Sequence, residues 1–272
     1  NIYTQHNWST MKKIVLFDMD GTLTPPRKAF DISLLDTLTD LCRYAEIGIV
    51  SGSDIDYIFQ QCKPLLSSDI LRLRTYILPC NGTKYCAPPS YRDHSHKITS
   101  TRFMRSEIGD HDFHRLMQII IDYQNHIVSH YDIPLTGHFI SYRGSMINWC
   151  PIGRNATDTD RKKFSEFDKT FGTSTFRKAI LSQLREEIDN LRMNVTVKLG
   201  GETSFDIFPH GWDKTFALSY FPEYEVYFLG DRCGENGNDK EIFDALQPHN
   251  SFWVKDTKDT KLVLETLLKE WK

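Results

Sequence analysis

A short apolar run near the start of the chain ends abruptly in two carboxylates. Residues 13–17 read KIVLF and predict a buried strand, and Asp18 and Asp20 follow it directly within DMDGT. Two like charges separated by one residue repel each other, so a chain tolerates them at the end of a buried strand only when something compensates them. A hard divalent cation such as Mg²⁺, which prefers oxygen ligands and phosphate, would do so.

Strands and helices alternate after this run. Residues 32–44 carry leucines at helical spacing, with Asp31 as the predicted N-cap. Apolar segments at 47–50 and 75–79 predict two further strands, with a helical segment between them. The same rhythm resumes beyond residue 212. Such alternation is typical of a parallel α/β sheet.

The middle of the chain follows a different pattern. A long helix is predicted at 111–130, a hairpin at 139–149, and then two helices and two strands, NVTVKL and TSFDIF. This order favours an antiparallel sheet with helices. The predicted fold is therefore α/β, a Rossmann-like parallel-sheet core of residues 1–89 and 212–272 with an inserted α+β cap domain at 90–211.

The bulk properties exclude several classes of protein. A net charge of −3 over 272 residues offers no global attraction for nucleic acid or acidic membranes. No apolar stretch approaches the ~20 residues that span a bilayer. The six cysteines form no CxxC pair, which favours reduced thiols and a cytoplasmic location. Residues 1–10 lack the pattern of a signal peptide, and we expect them to be an added leader before an original start at Met11.

Polar residues recur where the predicted core strands end or a helix begins. Active sites of parallel sheets lie beyond the carboxyl ends of the strands. The residues at these places are Asp18, Asp20, Ser51 (with Ser53 as the alternative), Lys214, Asp231, Asn238 and Asp239. Taken singly, each also fits an ordinary turn or a solvated lysine. Their joint occurrence in this order indicates a cation-assisted phosphate site.

The order of these residues resembles the haloacid dehalogenase superfamily of phosphoryl-transfer enzymes. The resemblance implies that Asp18 is the nucleophile, Asp20 the acid and base, and Ser51 the residue that holds the phosphoryl group. It also implies that Lys214 offsets negative charge at the nucleophile. The predicted Mg²⁺ ligands are Asp18, Asp20, Asp231, Asn238 and Asp239.

Four longer motifs are more specific. FDMDGTLTPPR, SYRGSMINWCPIGR, SFDIFPHGWDK and GENGNDKEIF together resemble the eukaryotic-type phosphomannomutases, from about residue 13 to the end of the chain. The resemblance implies Mg²⁺ as cofactor, a hexose 1,6-bisphosphate as activator and a homodimer formed through the cap domain. The chain departs from the family at three motifs. Gly is usual within SGSD, Glu is usual within PCNG, and a more basic stretch is usual in place of TGHF. These departures leave the sugar preference and the metal affinity open.

Arginines of the inserted domain form a candidate grip for an anion. Three of them lie between residues 143 and 161, and their planar forks match phosphate oxygens. Ser204 and Asp206 are two positions apart in a predicted strand, so their side chains face the same side. A hydroxyl and a carboxylate that point together can bind sugar hydroxyls. The resemblance adds one further arginine at the junction of the domains. The predicted substrate-binding set is Arg27, Arg143, Arg154, Arg161, Ser204 and Asp206.

The resemblance implies a phosphomannomutase that interconverts mannose 6-phosphate and mannose 1-phosphate through an aspartyl-phosphate on Asp18, primed by the hexose 1,6-bisphosphate. Glucose phosphates stay open as further substrates. Two alternatives are a sugar phosphatase built on the same core and a noncatalytic sugar-phosphate binder. The arginine set favours the mutase, because hydrolysis of a monophosphate needs no second phosphate site. We expect a hexose phosphate as the partner molecule, and neither nucleic acid nor membrane.

Overall fold

The computed structural model describes residues 11–272, which form a parallel sheet, an antiparallel sheet and a short two-stranded pair. The prediction that residues 1–10 are an added leader lies outside the described residues. Within residues 11–272, no helix is both long enough and apolar enough to cross a bilayer.

The first part of the chain alternates strands with short helices, as predicted. Its elements are β1 (Lys12–Phe17), a 3-10 turn (Ile32–Leu34), α1 (Leu35–Leu41), β2 (Ala45–Val50), α2 (Ile55–Gln61), α3 (Lys63–Ser67), α4 (Asp69–Arg72), β3 (Thr75–Leu78) and a 3-10 turn (Cys80–Gly82). The Asp31 carboxylate caps the 3-10 turn, accepting from the Ser33 N–H at 3.0 Å. The helix is shorter than the predicted 32–44 because the chain turns at Cys42 to begin β2.

The middle of the chain forms the antiparallel sheet and the helices that pack on it. Its elements are β4 (Lys84–Tyr85), β5 (Ser100–Thr101), α5 (Met104–Ile108), α6 (Asp110–His130), β6 (Ile140–Tyr142), β7 (Ile147–Trp149), α7 (Asp158–Lys169), α8 (Phe176–Asn190), β8 (Val195–Gly200) and β9 (Ser204–Pro209). The four-stranded sheet has the order β6-β7-β9-β8 and every pairing in it is antiparallel. The small β4–β5 pair was not predicted, since two-residue strands carry no readable period.

The last part of the chain returns to the parallel sheet. Its elements are a 3-10 helix (Lys214–Tyr220), β10 (Tyr224–Gly230), α9 (Lys240–Ala245), β11 (Ser251–Trp253) and α10 (Thr257–Trp271). The five-stranded sheet has the order β11-β10-β1-β2-β3 and is parallel throughout. The predicted fold class, a parallel α/β core with an inserted α+β unit, is confirmed. The limits 90–211 of the inserted cap domain stay a prediction.

Strand β1 lies at the centre of the parallel sheet, between β10 and β2. Ile14 and Leu16 pack into the hydrophobic layer on one face, and Val15 and Phe17 pack into the layer on the other. Successive side chains of a strand point to opposite faces, so a strand covered on both faces must be apolar at every position. This explains the uninterrupted run before Asp18 and brings that residue to the carboxyl edge of the sheet.

The inner face of the antiparallel sheet is held by aromatic packing. Trp149 of β7 and Phe205 of β9 are buried and stack with ring centroids 4.8 Å apart. Because side chains alternate along a strand, Asn148, Ser204 and Asp206 project from the opposite face. The packing of the cap thereby directs these polar side chains away from its own core.

Candidate active site

A cleft separates the carboxyl edge of the parallel sheet from the polar face of the antiparallel sheet. The predicted site residues that line it are Asp18, Asp20, Arg27, Ser51, Arg143, Arg154, Arg161, Ser204, Asp206, Asp231 and Asn238. Lys214 and Asp239 lie buried behind this lining, and Lys214 contacts the lining residue Asp18. The structure therefore gathers every predicted site residue around one cleft.

Lys214 ties two carboxylates together under the cleft. Its Nζ donates to Asp18 Oδ1 and, at 2.5 Å, to Asp239 Oδ1. Burial alone would lower the pKa of Lys214, but the charges of Asp18 and Asp239 and their hydrogen bonds raise it above its ordinary value. The lysine is therefore a permanent cation at the end of β1.

Two cations face three carboxylates here, because Arg232 Nε lies 3.9 Å from Asp231 Oδ2 and Lys214 pairs with Asp18 and Asp239. Oxygen atoms of Asp18, Asp231 and Asp239 all lie within 4.8 Å of one another. Burial raises the pKa of Asp18 well above its usual range, the charge of Asp239 raises it further, and Lys214 lowers it. Burial and Asp239 also raise the pKa of Asp231 to about 6. The protein alone leaves this acidic group short of compensating charge.

The donor atoms at this point fit a hard divalent cation. Asp231 Oδ1 and Asn238 Oδ1 are buried, and neither has a hydrogen-bond partner among residues 11–272. Oxygen atoms left in this state carry a desolvation cost that a cation would remove. Carboxylate and amide oxygens are the ligands that Mg²⁺ prefers. The acidic group is thus a suitable site for such an ion.

The Asp20 side chain points to other partners. Its Oδ1 accepts from the backbone N–H of Arg27 at 3.0 Å and from the hydroxyl of Tyr57 at 3.4 Å. It lines the cleft beside Asp18 without joining the three carboxylates that lie within 4.8 Å of one another. This place suits a group that exchanges protons with a substrate. Its role as a metal ligand stays a prediction.

Ser51 follows β2 directly and opens the loop that faces Asp18. Its Oγ accepts from the backbone N–H of Ser53 at 3.1 Å. The neighbouring turn holds this loop, because Cys80 N–H donates to Ser53 O at 3.0 Å and Asn81 N–H donates to Ser51 O at 2.8 Å. Cys80 and Asn81 adopt φ values of 49° and 62°, in the left-handed region. The motif PCNG, at which the chain differs from the family pattern, therefore lies in a strained turn that supports the serine loop.

Arginines and their partners form the cap side of the cleft. Arg154 Nη1 donates to Asn148 Oδ1 at 2.8 Å, and Asn148 Nδ2 donates to Asp206 Oδ1 at the same distance. Arg161 Nη1 donates to Thr203 Oγ1 at 2.9 Å. Burial lowers the pKa of Arg154, and the nearby Arg143 lowers it further. Mutual repulsion of this kind marks a cluster that a bound anion would relieve.

Arg143 connects the two halves of the site. It lies in the turn between β6 and β7, and its Nη1 donates to the backbone carbonyl of Gly52 at 2.6 Å. Gly52 belongs to the serine loop of the parallel-sheet core. The same arginine therefore contacts the core loop and lines the cleft from the cap. Any movement of the antiparallel sheet away from the core must break this contact.

Tyr57, Asn148 and Arg232 are among the residues that line the cleft but were not predicted. Tyr57, which contacts Asp20, carries a pKa raised to about 12 by burial and by that carboxylate. Asn148 lies inside the motif MINWCPIGR, and its alternation with Trp149 could have indicated it. Arg232 follows Asp231 directly, and its Nη1 donates to the carbonyl of Gly201 in the cap at 2.8 Å. No local signal pointed to Tyr57 or Arg232.

Comparisons with known structures identify the fold. The IMP-bound IMP-nucleotidase of Plasmodium falciparum aligns over 96% of this chain and 68% of its own, with a TM-score of 0.70 and 13% identity. A trehalose-6-phosphate phosphatase related protein aligns over 95% of this chain and 98% of its own, with a TM-score of 0.52 and 16% identity. At these identities the likeness concerns the fold alone, a parallel-sheet core with an inserted cap.

Comparisons of sequence are more specific. The family model described as eukaryotic phosphomannomutase matches residues 34–270. The phosphomannomutase of Dendrobium officinale is 36% identical over 234 residues, covering 85% of each chain. That of Arabidopsis thaliana is also 36% identical over 234 residues, covering 85% of this chain and 87% of its own. The chain, in which an acidic strand end and a cluster of arginines share one cleft, belongs to the eukaryotic phosphomannomutase family.

Proposed function

We propose that the chain is a Mg²⁺-dependent phosphomannomutase that interconverts mannose 6-phosphate and mannose 1-phosphate. The observation that carries the proposal is that the cleft has two ends suited to phosphate. Asp18, Ser51 and the buried Lys214 form the end on the core, and Arg154 and Arg161 contribute to the end on the cap. A sugar with a phosphate at each of two positions matches both ends.

The first chemical step would load the enzyme. A carboxylate oxygen of Asp18 attacks one phosphorus of a hexose 1,6-bisphosphate, and the bond from phosphorus to the sugar oxygen breaks. Asp20 gives its proton to that leaving oxygen, which becomes the hydroxyl of a hexose monophosphate. The product on the enzyme is an aspartyl-phosphate. Acid and base assistance of this kind is typically worth about 10²–10⁴ in rate.

The second step would return the phosphoryl group to the sugar. A hydroxyl of the hexose monophosphate attacks the phosphorus on Asp18, and Asp20 takes its proton. The bisphosphate then turns in the cleft, so that its other phosphate reaches Asp18 and the cycle closes. The turn requires a cap that accepts either phosphate. A cluster of arginines around Arg154 supplies that tolerance, because each planar fork binds phosphate oxygens without reference to the sugar position.

Charge neutralisation makes the attack feasible. The Lys214 ammonium holds Asp18 from the buried side and offsets the charge of Asp239. When bound, Mg²⁺ would neutralise the phosphoryl oxygens as they approach the carboxylate. The residues that we expect to hold it are Asp18, Asp20, Asp231, Asn238 and Asp239.

Arginines that join the cap to the core also favour transfer to sugar over transfer to water. Arg143 and Arg232 each contact a backbone carbonyl of the other half of the molecule. A phosphate bound among the arginines would favour this closed arrangement, which keeps water from the aspartyl-phosphate. A phosphatase must instead admit water to the aspartyl-phosphate, since water is its second substrate.

A product-partition assay tests the proposal. The purified protein is incubated with mannose 1-phosphate, Mg²⁺ and a catalytic amount of glucose 1,6-bisphosphate, and mannose 6-phosphate and inorganic phosphate are followed together. Mostly isomerised sugar is the expected result. Chiefly inorganic phosphate would replace the mutase with a sugar phosphatase, and binding without any turnover would leave a noncatalytic binder. Omitting the bisphosphate tests its role as activator, and glucose 1-phosphate tests the sugar preference.

We further propose a cytoplasmic homodimer formed through the cap domain at 90–211. Two observations support it. Helix α6 leaves Ile121 and Val128 exposed, although both are large and apolar. All six cysteines are free thiols, as expected in a reducing compartment. Light scattering on the wild type and on an Ile121→Lys variant measures the assembly: a monomeric wild type would contradict the dimer.

A further inference from the structure

Trp253 is a large aromatic residue at the surface that the proposed mechanism does not use. Its side chain is 58% exposed, an unusual state for a tryptophan, and it ends β11 at the edge of the parallel sheet. Its register partner in β10 is Gly230, the residue directly before Asp231. The backbone beyond it closes on the same residue, because the Val254 N–H donates to Gly230 O at 2.9 Å.

The indole contacts both the beginning and the middle of the loop from Asp231 to Asp239. Its Nε1–H donates to the backbone carbonyl of Asp231 at 2.8 Å. Gly234 lies so close to the ring that a Cβ there would meet Cη2 at 2.9 Å. A side chain in place of Gly234 would therefore press on the indole. The loop packs against the ring and leaves no space for a side chain at this position.

The same ring reaches the helix that follows the loop. Phe243 of α9 meets Trp253 edge to face, with ring centroids 6.3 Å apart. Within the loop, the Arg232 N–H donates to Asp239 Oδ2 at 3.0 Å and the Asp239 N–H donates to Arg232 O at 3.1 Å. Trp253 thus contacts the loop at its start, at its middle and beyond its end.

We infer that Trp253 is a positioning residue, which holds the Asp231–Asp239 loop so that its carboxylates face Asp18. The inference rests on the proposed function for what the loop binds, a divalent cation. Trp253 itself does not line the cleft. Its effect passes through the carbonyl of Asp231, which fixes the backbone from which that carboxylate projects.

Two variants separate the hydrogen bond from the ring. Trp253→Phe keeps an aromatic ring against Gly234 but removes the Nε1–H donor, and Trp253→Ala removes both. Loss of one neutral hydrogen bond should weaken Mg²⁺ binding about 2- to 10-fold in Trp253→Phe, and more in Trp253→Ala. Isothermal titration of the protein with Mg²⁺ alone measures this directly. Trp271→Phe is the matched control, because its ring packs on Tyr227 and lies beside Lys13 at the amino end of β1, away from the loop.

Hydrogen exchange without added metal tests the loop independently of the proposed function. The amides of Arg232 and Asp239 should exchange faster in Trp253→Phe than in the wild type, while those of β1 stay unchanged. Wild-type exchange in that variant would overturn the positioning role. If exchange accelerates but the wild type binds no Mg²⁺, the loop assignment stands and the proposed metal fails. If exchange accelerates and Trp253→Phe binds Mg²⁺ as tightly as the wild type, Trp253 does not position the ligands and the inference is wrong.

Discussion

The ammonium of Lys214 donates to the carboxylate of Asp18 although 196 positions of sequence separate the two residues. Both side chains are buried, and the same ammonium also binds Asp239. The two ends of the parallel-sheet core therefore meet in one ionic contact at the predicted nucleophile. Because this contact neutralises charge inside the protein, it bears on stability as well as on reactivity.

Replacing Lys214 with Met should destabilise the fold. The variant leaves the Asp18 and Asp239 carboxylates buried without their cation, and removal of one partner from a buried ion pair typically costs about 3–5 kcal/mol. The free energy of unfolding from urea titration in EDTA measures the effect. Lys97→Met, which removes an exposed partner of Asp93, is the control and should change stability by less than about 1 kcal/mol. Equal stability of the two variants would show that Lys214 does not compensate these charges.

Replacing Asp20 with Asn should slow proton transfer while leaving the nucleophile in place. Formation and discharge of the phospho-enzyme should both slow by about 10²–10⁴-fold, because one residue serves both steps. Rapid-quench kinetics with labelled bisphosphate separates the two rates. Asp18→Asn is the companion variant, which should trap no label at all. Normal rates for both steps in Asp20→Asn would remove the acid and base role.

Replacing Arg154 with Ala should change the fate of the phosphoryl group. The variant loses charge-assisted hydrogen bonds to the remote phosphate, each worth about 1.5–3 kcal/mol. Because the bound phosphate favours the closed cleft, losing these bonds also makes closure less favourable. KM for hexose phosphate should rise at least 10-fold, and the ratio of inorganic phosphate to mannose 6-phosphate should rise with it. Arg105→Ala, which removes a cap arginine paired with Asp110, is the matched control. Identical product ratios for wild type and Arg154→Ala would displace the remote-phosphate site from this arginine.

His96 should make stability depend on pH. It is buried, its Nε2–H donates to Thr75 O at 2.6 Å, and the positive charge of Arg72 and the ring of Phe59 lie nearby. Burial lowers its pKa below the ordinary value of about 6.5. The unfolded chain therefore binds a proton at a pH where the folded chain does not. The contribution of His96 to stability is complete above about pH 6.5 and is lost as the pH falls towards the folded pKa.

Replacing His96 with Gln removes the titration and keeps a donor for Thr75. Urea midpoints at pH 7.5 and pH 5.5 measure the dependence, and the loss on acidification should be smaller in His96→Gln than in the wild type. His111→Gln, a change at an exposed histidine, should behave as the wild type does. An unchanged loss in His96→Gln would assign the acid sensitivity to other groups.

Much of the fold was readable from local patterns. The apolar run before Asp18 is continuous because β1 is buried on both faces, and a strand of this kind is apolar at successive positions. The cap strands were readable for a related reason, since Trp149 and Phe205 alternate with the polar side chains beside them. The residues predicted at the ends of the core strands lie together because the carboxyl edge of a parallel sheet gathers whatever follows each strand.

Only the tertiary structure decided which of these groups contact one another. Residues 11–272 as a sequence do not reveal that Tyr57 contacts Asp20, that Arg143 reaches the carbonyl of Gly52, or that Trp253 covers the loop after Asp231. The periodicity of apolar residues indicates which face of a helix or strand is buried. The distance between side chains on different elements depends on how those elements pack, and in this chain the packing joins Lys214 to Asp18 across 196 positions and Thr260 to Thr22 across 238.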